Sequence, residues 1–282
     1  MEQVSVSPNA ALLEKTKRRE LAAAKRKRLK AIVFGLTGVA GFLLLWYAVV
    51  WFEWIDSRLI VYPHEVFQTL ASKFYDKSFD GSLLPVHIAS SLIVAVCGFL
   101  MAVCVGVPLG LLMGWYQPFD RFVRPVFEVI RPIPPISWIP IMIIFLGIGL
   151  QAKTVIIFFA AFIPSLINSY TGIKLTNPVF INVAKTCGAS KWRTFLRVGV
   201  PSALPMAFAG MRISLGNAWG TLVAAEMLAA NKGLGFMILM GRTYLRVDVI
   251  IGGMLVIGLI GVLFAVGFDW VEHKVIKWGK KQ

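Results

Sequence analysis

The chain contains six apolar stretches, each approaching the length of a helix that crosses a membrane. Such a helix needs about 20 apolar residues, because each residue adds about 1.5 Å along the axis and the hydrocarbon layer is about 30 Å thick. Hydrophobic residues make up 57% of the 282 positions and charged residues 15%. Too few polar residues remain to cover a water-soluble fold, which excludes soluble enzymes, secreted disulphide scaffolds and disordered chains. The sequence predicts an all-α membrane protein with six spans: Ala31–Trp51, Ile88–Trp115, Ile136–Leu150, Lys153–Ile173, Leu204–Leu228 and Val247–Trp270.

The net charge of +15 is distributed as a topology signal. Nine Lys and Arg lie between Lys15 and Lys30, directly before the first apolar stretch and without interleaved aromatic residues. This pattern is typical of a segment at an anionic membrane surface, not of a nucleic-acid binder. With six spans, the side that carries both termini holds about three times as many Lys and Arg as the other side. The positive-inside rule therefore predicts a multi-pass membrane protein with both termini in the cytoplasm.

The cysteines and histidines indicate neither a metal site nor a catalytic centre. Cys97 and Cys104 lie seven residues apart within one apolar stretch, and Cys187 stands alone. The three histidines lie at or outside the ends of the spans, whereas a redox or metal-dependent membrane enzyme needs ligands inside them. A secondary transporter driven by an ion gradient is an alternative function, but it would be expected to show paired intramembrane carboxylates or broken-helix repeats.

Residues 177–201 are polar yet keep a helical period. Val179, Phe180 and Val183 share one side of a first short helix, and a second helical piece follows Gly188. Glycine permits the backbone to turn between the two pieces, and Ser190 is placed to cap the second one. About 25 residues of amphipathic helix are more than a connecting loop requires. The pattern favours a cytoplasmic surface that a partner grips.

Several spaced motifs resemble the permeases of type I ABC importers. The run from Ala184 through Gly188-Ala189-Ser190 to Pro201 is similar to their cytoplasmic coupling loop. Three further motifs are similar to the branch that serves nitrate, sulfonates, taurine, bicarbonate and related anions: Arg131 to Pro140, Gly210 to Trp219, and Ala225-Glu226-Met227 followed by Gly233-Leu234-Gly235. Aromatic acids and uncharged vitamin precursors also use this branch, so the resemblance leaves the ligand open. The loop departs from the family pattern where Glu-Ala-Ala is common, because this chain has Asn182-Val183-Ala184.

The resemblance implies a six-helix permease that catalyses no reaction itself. It implies a second permease copy, two cytoplasmic ATPase subunits that bind ATP and Mg, and an extracytoplasmic binding protein that delivers the solute. The chain itself lacks the Gly-Lys-Ser or Gly-Lys-Thr of a phosphate-binding loop, so no cofactor is expected on it. A cytoplasmic arm (1–30) would lie on the inner leaflet and turn into the permease domain (31–282), with core spans in 84–270 and the coupling loop at 177–201. The expected ATPase-coupling residues are Asn182, Ala184, Gly188, Ala189, Ser190, Trp192 and Pro201.

Polar residues within the fourth and fifth spans are candidates to line the pathway. Ser165 and Asn168 are expected to face Ser214 and Asn217, although small polar residues in spans also serve to hold helices together. Arg212 either contacts an anion during release or bonds a neighbouring segment, and Glu226 either belongs to an outer gate or bonds another span. The predicted lining is Ser165, Asn168, Arg212, Ser214, Asn217 and Glu226.

A further amphipathic helix is predicted at the outer interface, over residues 63–75. Its apolar residues are Val66, Phe67, Leu70 and Phe74. Two roles remain open for it, a membrane-parallel connector and part of a docking rim for an external partner.

Overall fold

The computed structural model describes residues 8–56 and 59–276, and within these ranges it contains helices and no strand. The all-α prediction is therefore confirmed for the described chain. The α-helices in these ranges are α1 (Pro8–Trp51), α2 (Pro63–Ser72), α3 (Leu84–Trp115), α4 (Gln117–Ile130), α5 (Ile139–Leu146), α6 (Leu150–Lys174), α7 (Pro178–Thr186), α8 (Lys191–Thr194), α9 (Val200–Ala229), α10 (Leu234–Thr243) and α11 (Val247–Val275).

Five of the described helices are long and apolar enough to cross a membrane, and a bent pair provides a sixth candidate. The five lie at 25–51, 84–115, 150–174, 191–229 and 247–275. The bent pair consists of α4 and the segment 135–146, whose axes differ by 84°. The number of spans expected from the sequence agrees with this count when the bent pair is taken as one span.

The third predicted span, 136–150, is not one helix. A 3₁₀ turn at Pro135–Trp138 leads into α5, which has only eight residues and ends where Gly147 adopts a φ of +74°. Prolines 132, 134 and 135 precede it, and proline lacks the N–H that continues a helix. The segment 135–146 is therefore steeply inclined to α4 and does not form one straight helix.

The described residues up to Glu65 form a compact unit of their own. In it the basic arm and the first span are one continuous 44-residue helix, α1, so the turn expected between them is absent. Residues 1–7 of the arm lie outside the described residues. Trp46 Nε1 donates to the carbonyl of Val61 (3.0 Å), and the Tyr47 hydroxyl is 2.9 Å from Nδ1 of His64.

The second unit, residues 66–282, is built on α3, α6 and α9. Small residues recur every four positions along one buried side of α3: Gly98, Ala102, Gly106, Gly110 and Gly114. A Cβ on Gly98 would lie 2.7 Å from Cγ2 of Ile157, so glycine is what lets α3 approach α6 this closely. Small residues at such spacing bring membrane helices into backbone contact.

The predicted amphipathic helix is present as α2. Val66 is fully buried, and Thr69 Oγ1 donates to Asp248 Oδ2 of α11 at 2.6 Å, whereas Phe67 and Phe74 are exposed. One end of the second unit, named the α10 end here, carries α2, α10 and the start of α11. The opposite end carries α7 and α8 and is named the α7 end.

Candidate coupling and translocation sites

The segment after α6 folds as two short helices joined by a glycine turn, as the sequence predicts. The Asn177 side chain caps α7 by accepting from Val179 N (2.9 Å), and Ser190 Oγ caps α8 by accepting from Arg193 N (3.3 Å). Between them Gly188 adopts a φ of +75°. Two backbone bonds, Gly188 N to the Lys185 carbonyl and Ala189 N to the Ala184 carbonyl, close the C-terminus of α7.

α7 lies on the bundle without burying any of its own residues. Three of its apolar side chains remain more than half exposed, at 59% for Val179, 58% for Phe180 and 56% for Val183, whereas Ile181 is half-buried. Exposed apolar residues in a group, with polar residues around them, mark an interaction surface. Val179, Phe180 and Val183 lie on one side of this short helix and are called the α7 apolar face.

The second helical piece is anchored firmly. Phe195 is 4% exposed and packs against the rings of Trp115, Trp192 and Tyr116, with centroids 5.3–5.9 Å apart. A five-residue π-helical segment, Phe195–Gly199, then continues into α9. Phe195 was not among the residues expected to matter for coupling, although its place after Trp192 in an amphipathic period could have indicated it.

A shallow groove of about 360 Å³ lies where α7 meets the start of α9. Pro201, in the first turn of α9, borders it, and Arg197 supplies its positive charge. The lining residues are Phe180, Val183, Ala184, Arg197, Val198, Pro201 and Ser202. Of the expected coupling residues, four are exposed and three are half-buried. The exposed residues are Asn182, Gly188, Ser190 and Trp192, and the half-buried residues are Ala184, Ala189 and Pro201.

The serines expected to line the pathway bond each other instead of facing an opening. Ser214 Oγ donates to the Ala161 carbonyl (2.6 Å), and Ser165 Oγ lies 2.7 Å from Ser214 Oγ; both serines are fully buried. Asn168 is also engaged, because its amide donates to the Pro164 carbonyl of its own helix at 2.9 Å. The contacts of the two serines hold α6 against α9.

Arg212 and Asn217 have different surroundings on α9. Arg212 forms ion pairs with Asp269 and Glu272 of α11, the second at 2.6 Å, so it bonds a neighbouring helix. Asn217 is exposed, and so are Gly216 and Gly220 beside it, where a Cβ added to either glycine would meet no atom within 4 Å. The sequence could not show that Arg212 has partners on α11 whereas Asn217 is exposed, since both are polar residues of one span.

Glu226 is fully buried at the α10 end and bonds other segments. Ser91 Oγ of α3 donates to its carboxylate at 2.8 Å, and the backbone N–H of Gly235 donates to Oε2 at 2.9 Å. Lys153, in the first turn of α6, is only 4% exposed and interacts electrostatically with Glu226. An interspan bond was one of the two roles considered for Glu226.

A second buried ionic cluster lies beside it. Asp80 Oδ2 pairs with Lys73 Nζ, and Nε2 of His87 is 3.3 Å from the same oxygen. Burial raises the pKa of the Asp80 carboxyl, but the N–H groups of His87 and Lys73 around it lower the pKa by more, so it lies below its ordinary value. Sequence reasoning missed Lys73 and Asp80, because nothing in their local pattern shows that they meet.

Among residues 8–56 and 59–276, no three His, Cys, Asp or Glu side chains lie close enough together to hold a metal ion.

The sequence model of the family described as binding-protein-dependent transport system inner membrane component matches residues 106–277. The chain belongs to this family. It is an ABC importer permease subunit, a multi-pass protein of the inner membrane. The match contains α7, α8 and α9, and therefore the whole of the predicted coupling loop (177–201), whereas α2 and the ionic cluster at Lys73, Asp80 and His87 lie outside it.

Curated relatives and solved structures agree with this assignment. The taurine transport system permease protein of Escherichia coli is 32% identical over 249 residues, covering 88% of this chain and 90% of the relative. The bicarbonate transport system permease protein of Synechocystis is 31% identical over 265 residues, covering 89% and 91%. An inward-facing structure of the MetNI methionine ABC transporter shares the fold of the permease, with a TM-score of 0.59 at 20% identity over 66% of this chain and 93% of that one.

Proposed function

We propose that this permease imports a small anion, with a sulfonate such as taurine or an inorganic anion such as bicarbonate or nitrate as the substrate class. The support is the function named for the two relatives that share about nine-tenths of their length with this chain. An extracytoplasmic binding protein would deliver the anion. ATP and Mg would bind to separate ATPase subunits, since this chain has no phosphate-binding loop of its own.

The α7 apolar face is the observation that carries the proposed coupling to an ATPase. Three neighbouring apolar side chains are held out into solvent by a helix that is capped at both ends. After the turn at Gly188, α8 continues through the π-helical segment Phe195–Gly199 into α9 without a break in the helix. The side chain of Phe195 anchors this stretch. A force applied to α7 would therefore tilt α9, which is how a rigid element transmits movement between two ends of a molecule.

The permease is proposed to work as two copies that meet along α9. Asn217 is exposed in the middle of this helix, and a polar side chain at membrane depth needs protein or water as its neighbour. Gly216 and Gly220 leave the helix backbone accessible on the same side, which favours close approach of a second helix. The pathway would then run between the copies, past Asn217, and not between α6 and α9 where Ser165 and Ser214 bond.

The proposed function is tested with permease, ATPase and binding protein reconstituted in liposomes. We expect ATP-dependent uptake of at least one anion among taurine, an alkanesulfonate, nitrate and bicarbonate, inhibited by vanadate and unaffected when the proton gradient is collapsed. Uptake that persists without ATP and follows the proton gradient would instead favour a secondary transporter.

The coupling surface is tested by Phe180→Ala, with Lys185→Ala on another side of α7 as the matched control. Loss of an aromatic anchor from an interface costs about 2 kcal/mol or more, which corresponds to about 30-fold weaker binding. We expect Phe180→Ala to reduce co-purification of the ATPase and to abolish uptake, and Lys185→Ala to retain both. Equal binding of the ATPase by the two variants would contradict the proposed role of α7.

A further inference from the structure

A cleft of about 460 Å³ lies at the α7 end of the bundle. Residues from the ends of α3 and α6, the start of α4, α7 and the first turn of α8 line it. Three of the lining residues are lysines, Lys174, Lys185 and Lys191, and none of the lining residues is acidic. Each lysine comes from a different helix, namely α6, α7 and α8 in turn. This cavity is named the lysine cleft.

No carboxylate of the described chain balances the charges of these three lysines. Residues 129–225 contain no Asp or Glu, and the ion pairs among the described residues include none of the three. Asp120, near the start of α4, accepts hydrogen bonds from Arg124 at 2.9–3.3 Å. Nζ of Lys174 lies 5.4 Å from the centre of the Tyr170 ring, a contact that leaves its positive charge in place. Like charges around one cavity repel each other, so an anion in the lysine cleft would stabilise this end of the bundle.

The residues around the lysine cleft indicate that it lies at the depth of the lipid headgroups. Trp115 ends α3 and Tyr116 follows it, and both side chains are half-buried. Trp and Tyr are enriched where membrane spans meet water. Lys174 ends α6, so two helices that are long and apolar enough to cross a membrane both end at the cleft. Ile173 and Ile181 give the cleft an apolar part, against which the first carbons of a lipid can pack.

We propose that the lysine cleft binds the phosphate headgroup of an anionic phospholipid from the leaflet at the α7 end. Basic pockets between membrane helices bind such headgroups, and each lysine near the membrane surface strengthens the attraction about fivefold. A bound headgroup would join the end of α6 to α7 and α8, because each of these helices supplies one lysine. Lys185 lies on a different side of α7 from the α7 apolar face, so the lipid and the proposed ATPase contact use different sides of this helix. The proposal does not depend on which solute is transported.

Native mass spectrometry of the full permease in detergent tests the lysine cleft without any transport. Phosphatidylglycerol is the anionic probe, and phosphatidylcholine is the comparison lipid without net charge. We expect the wild type to retain phosphatidylglycerol in preference to phosphatidylcholine. The double variant Lys174→Gln with Lys191→Gln removes two of the three cations and is expected to bind phosphatidylglycerol about 30-fold more weakly. Lys174→Gln alone, with an expected loss of about fivefold, replaces it should the double variant not fold.

The matched control is the double variant Arg121→Gln with Arg193→Gln, which changes the net charge by the same amount. Both arginines are exposed, on α4 and α8, and neither lines the lysine cleft. We expect this control to bind phosphatidylglycerol as the wild type does. Equal weakening in the two double variants would show that the overall charge attracts the lipid and would overturn the proposal. A wild type that binds the two lipids equally well would overturn it too.

Thermal unfolding distinguishes a lipid headgroup from a soluble anion, since a ligand that binds only the folded protein raises the unfolding temperature. We expect phosphatidylglycerol to raise it in the wild type and in the arginine control, but not in the lysine double variant. Glycerol phosphate at the same concentration is expected to leave all three proteins unchanged. An equal rise with glycerol phosphate would identify a soluble anion as the occupant and contradict the proposal.

Co-purification with the ATPase separates the lipid from a protein occupant of the lysine cleft. If the lysine double variant lost the ATPase while its binding of phosphatidylglycerol stayed at the wild-type level, the cleft would belong to the ATPase and the lipid proposal would be wrong. Failure of every anion in the uptake assay would refute the proposed substrate class alone, because the binding of phosphatidylglycerol is measured on the permease by itself.

Discussion

At the scale of the residue, the buried carboxylate of Glu226 determines which residues can occupy the segment after α9. A Cβ on Gly233 would collide with that carboxylate, and a Cβ on Gly235 would lie 2.5 Å from the Val223 carbonyl oxygen and 2.9 Å from Cβ of Glu226. Gly233 also has a φ of +130° and a ψ of 165°, a region almost restricted to glycine. The Gly-Leu-Gly motif is thus explained largely by one side chain seven residues upstream.

Gly233→Ala is expected to destabilise the permease. The backbone region alone costs about 1–3 kcal/mol for a residue with a Cβ, and the contact with Glu226 adds to it. Thermal unfolding in detergent measures the effect. Gly258→Ala in α11 is the matched control, because no atom lies within 4 Å of that Cβ position and alanine favours a helix by up to about 1 kcal/mol. Equal unfolding temperatures for the two variants would contradict the role assigned to Gly233.

Through Asp80, the stability of the α10 end is expected to depend on pH. Its pKa in the folded chain lies below the ordinary value, which for aspartate in an unfolded chain is about 4. The stabilisation is therefore complete above about pH 4 and is lost as the pH falls through the lower folded pKa. We expect Asp80→Asn to be less stable than wild type at pH 6 and the difference to shrink towards pH 3, as measured by thermal unfolding. A difference that stays constant with pH would exclude this ion pair as its source.

At the scale of the element, α9 and the segment before it act as one continuous helical path. The π-helical turn at Phe195–Gly199 and Pro201 alter the hydrogen bonding where this path leaves the coupling segment, yet no break in the helix follows. At the opposite end Glu226 is bonded to Ser91 of α3. In the proposed coupling, a movement of α7 would reach α3 along this path.

Gly188→Pro is expected to uncouple transport while the chain still inserts in the membrane. Proline fixes φ near about −65°, which is incompatible with the +75° that the turn requires. Gly188→Asn is the matched control, because asparagine tolerates this region better than other residues with a side chain. The measurement is the ratio of anion taken up to ATP hydrolysed in liposomes. A wild-type ratio in Gly188→Pro would show that the turn does not transmit force.

At the scale of the whole molecule, polar and apolar residues on the surface of the bundle indicate what surrounds each part. The apolar side chains exposed along α3 and α11 suit lipid, whereas the exposed polar residues Asn217 of α9 and Asn182 and Lys185 of α7 do not. The arrangement predicts that α9 meets a second copy and that the α7 end lies in the cytoplasm.

Contact between copies is testable by cross-linking. In a variant with its three native cysteines replaced by serine, Asn217→Cys is expected to form a disulphide between two permeases in the membrane on mild oxidation. Met254→Cys on the exposed side of α11 is the control and is expected to remain monomeric. Electrophoresis without reductant distinguishes them, and efficient cross-linking through Met254→Cys alone would place the interface elsewhere.

Orientation is testable with the native cysteines. Cys187 is exposed in the turn after α7, whereas Cys97 and Cys104 are exposed within the apolar length of α3. A maleimide that does not cross membranes is expected to label Cys187 in inside-out vesicles and to leave intact spheroplasts unlabelled. Cys187→Ser should abolish the signal. Labelling of Cys187 from outside would reverse the proposed topology.

The coupling segment could be predicted well because its signals are local. Gly188 turns the backbone at its own position and Ser190 caps an amide three residues further on, so both roles follow from spacing alone. The cap that Asn177 provides for α7 is equally local but was not predicted. The bend before α5 also has a local cause in three prolines, but the angle of 84° depends on what the two helices pack against. The pathway residues were harder to predict. The side of a helix that faces its neighbours depends on how the other helices pack.

The sequence by itself determined that this chain is a membrane protein, where its main spans lie, and that a capped helix–turn–helix interrupts them, since hydrophobic length and backbone capping are short-range properties. Only the tertiary structure decided that Ser165 bonds Ser214, that Arg212 pairs with α11, and that His87 caps α10. These contacts join residues between 49 and 146 positions apart. The partners of these hydrogen bonds and ion pairs meet only once the helices are assembled, and burial then penalises any polar group that is left without one.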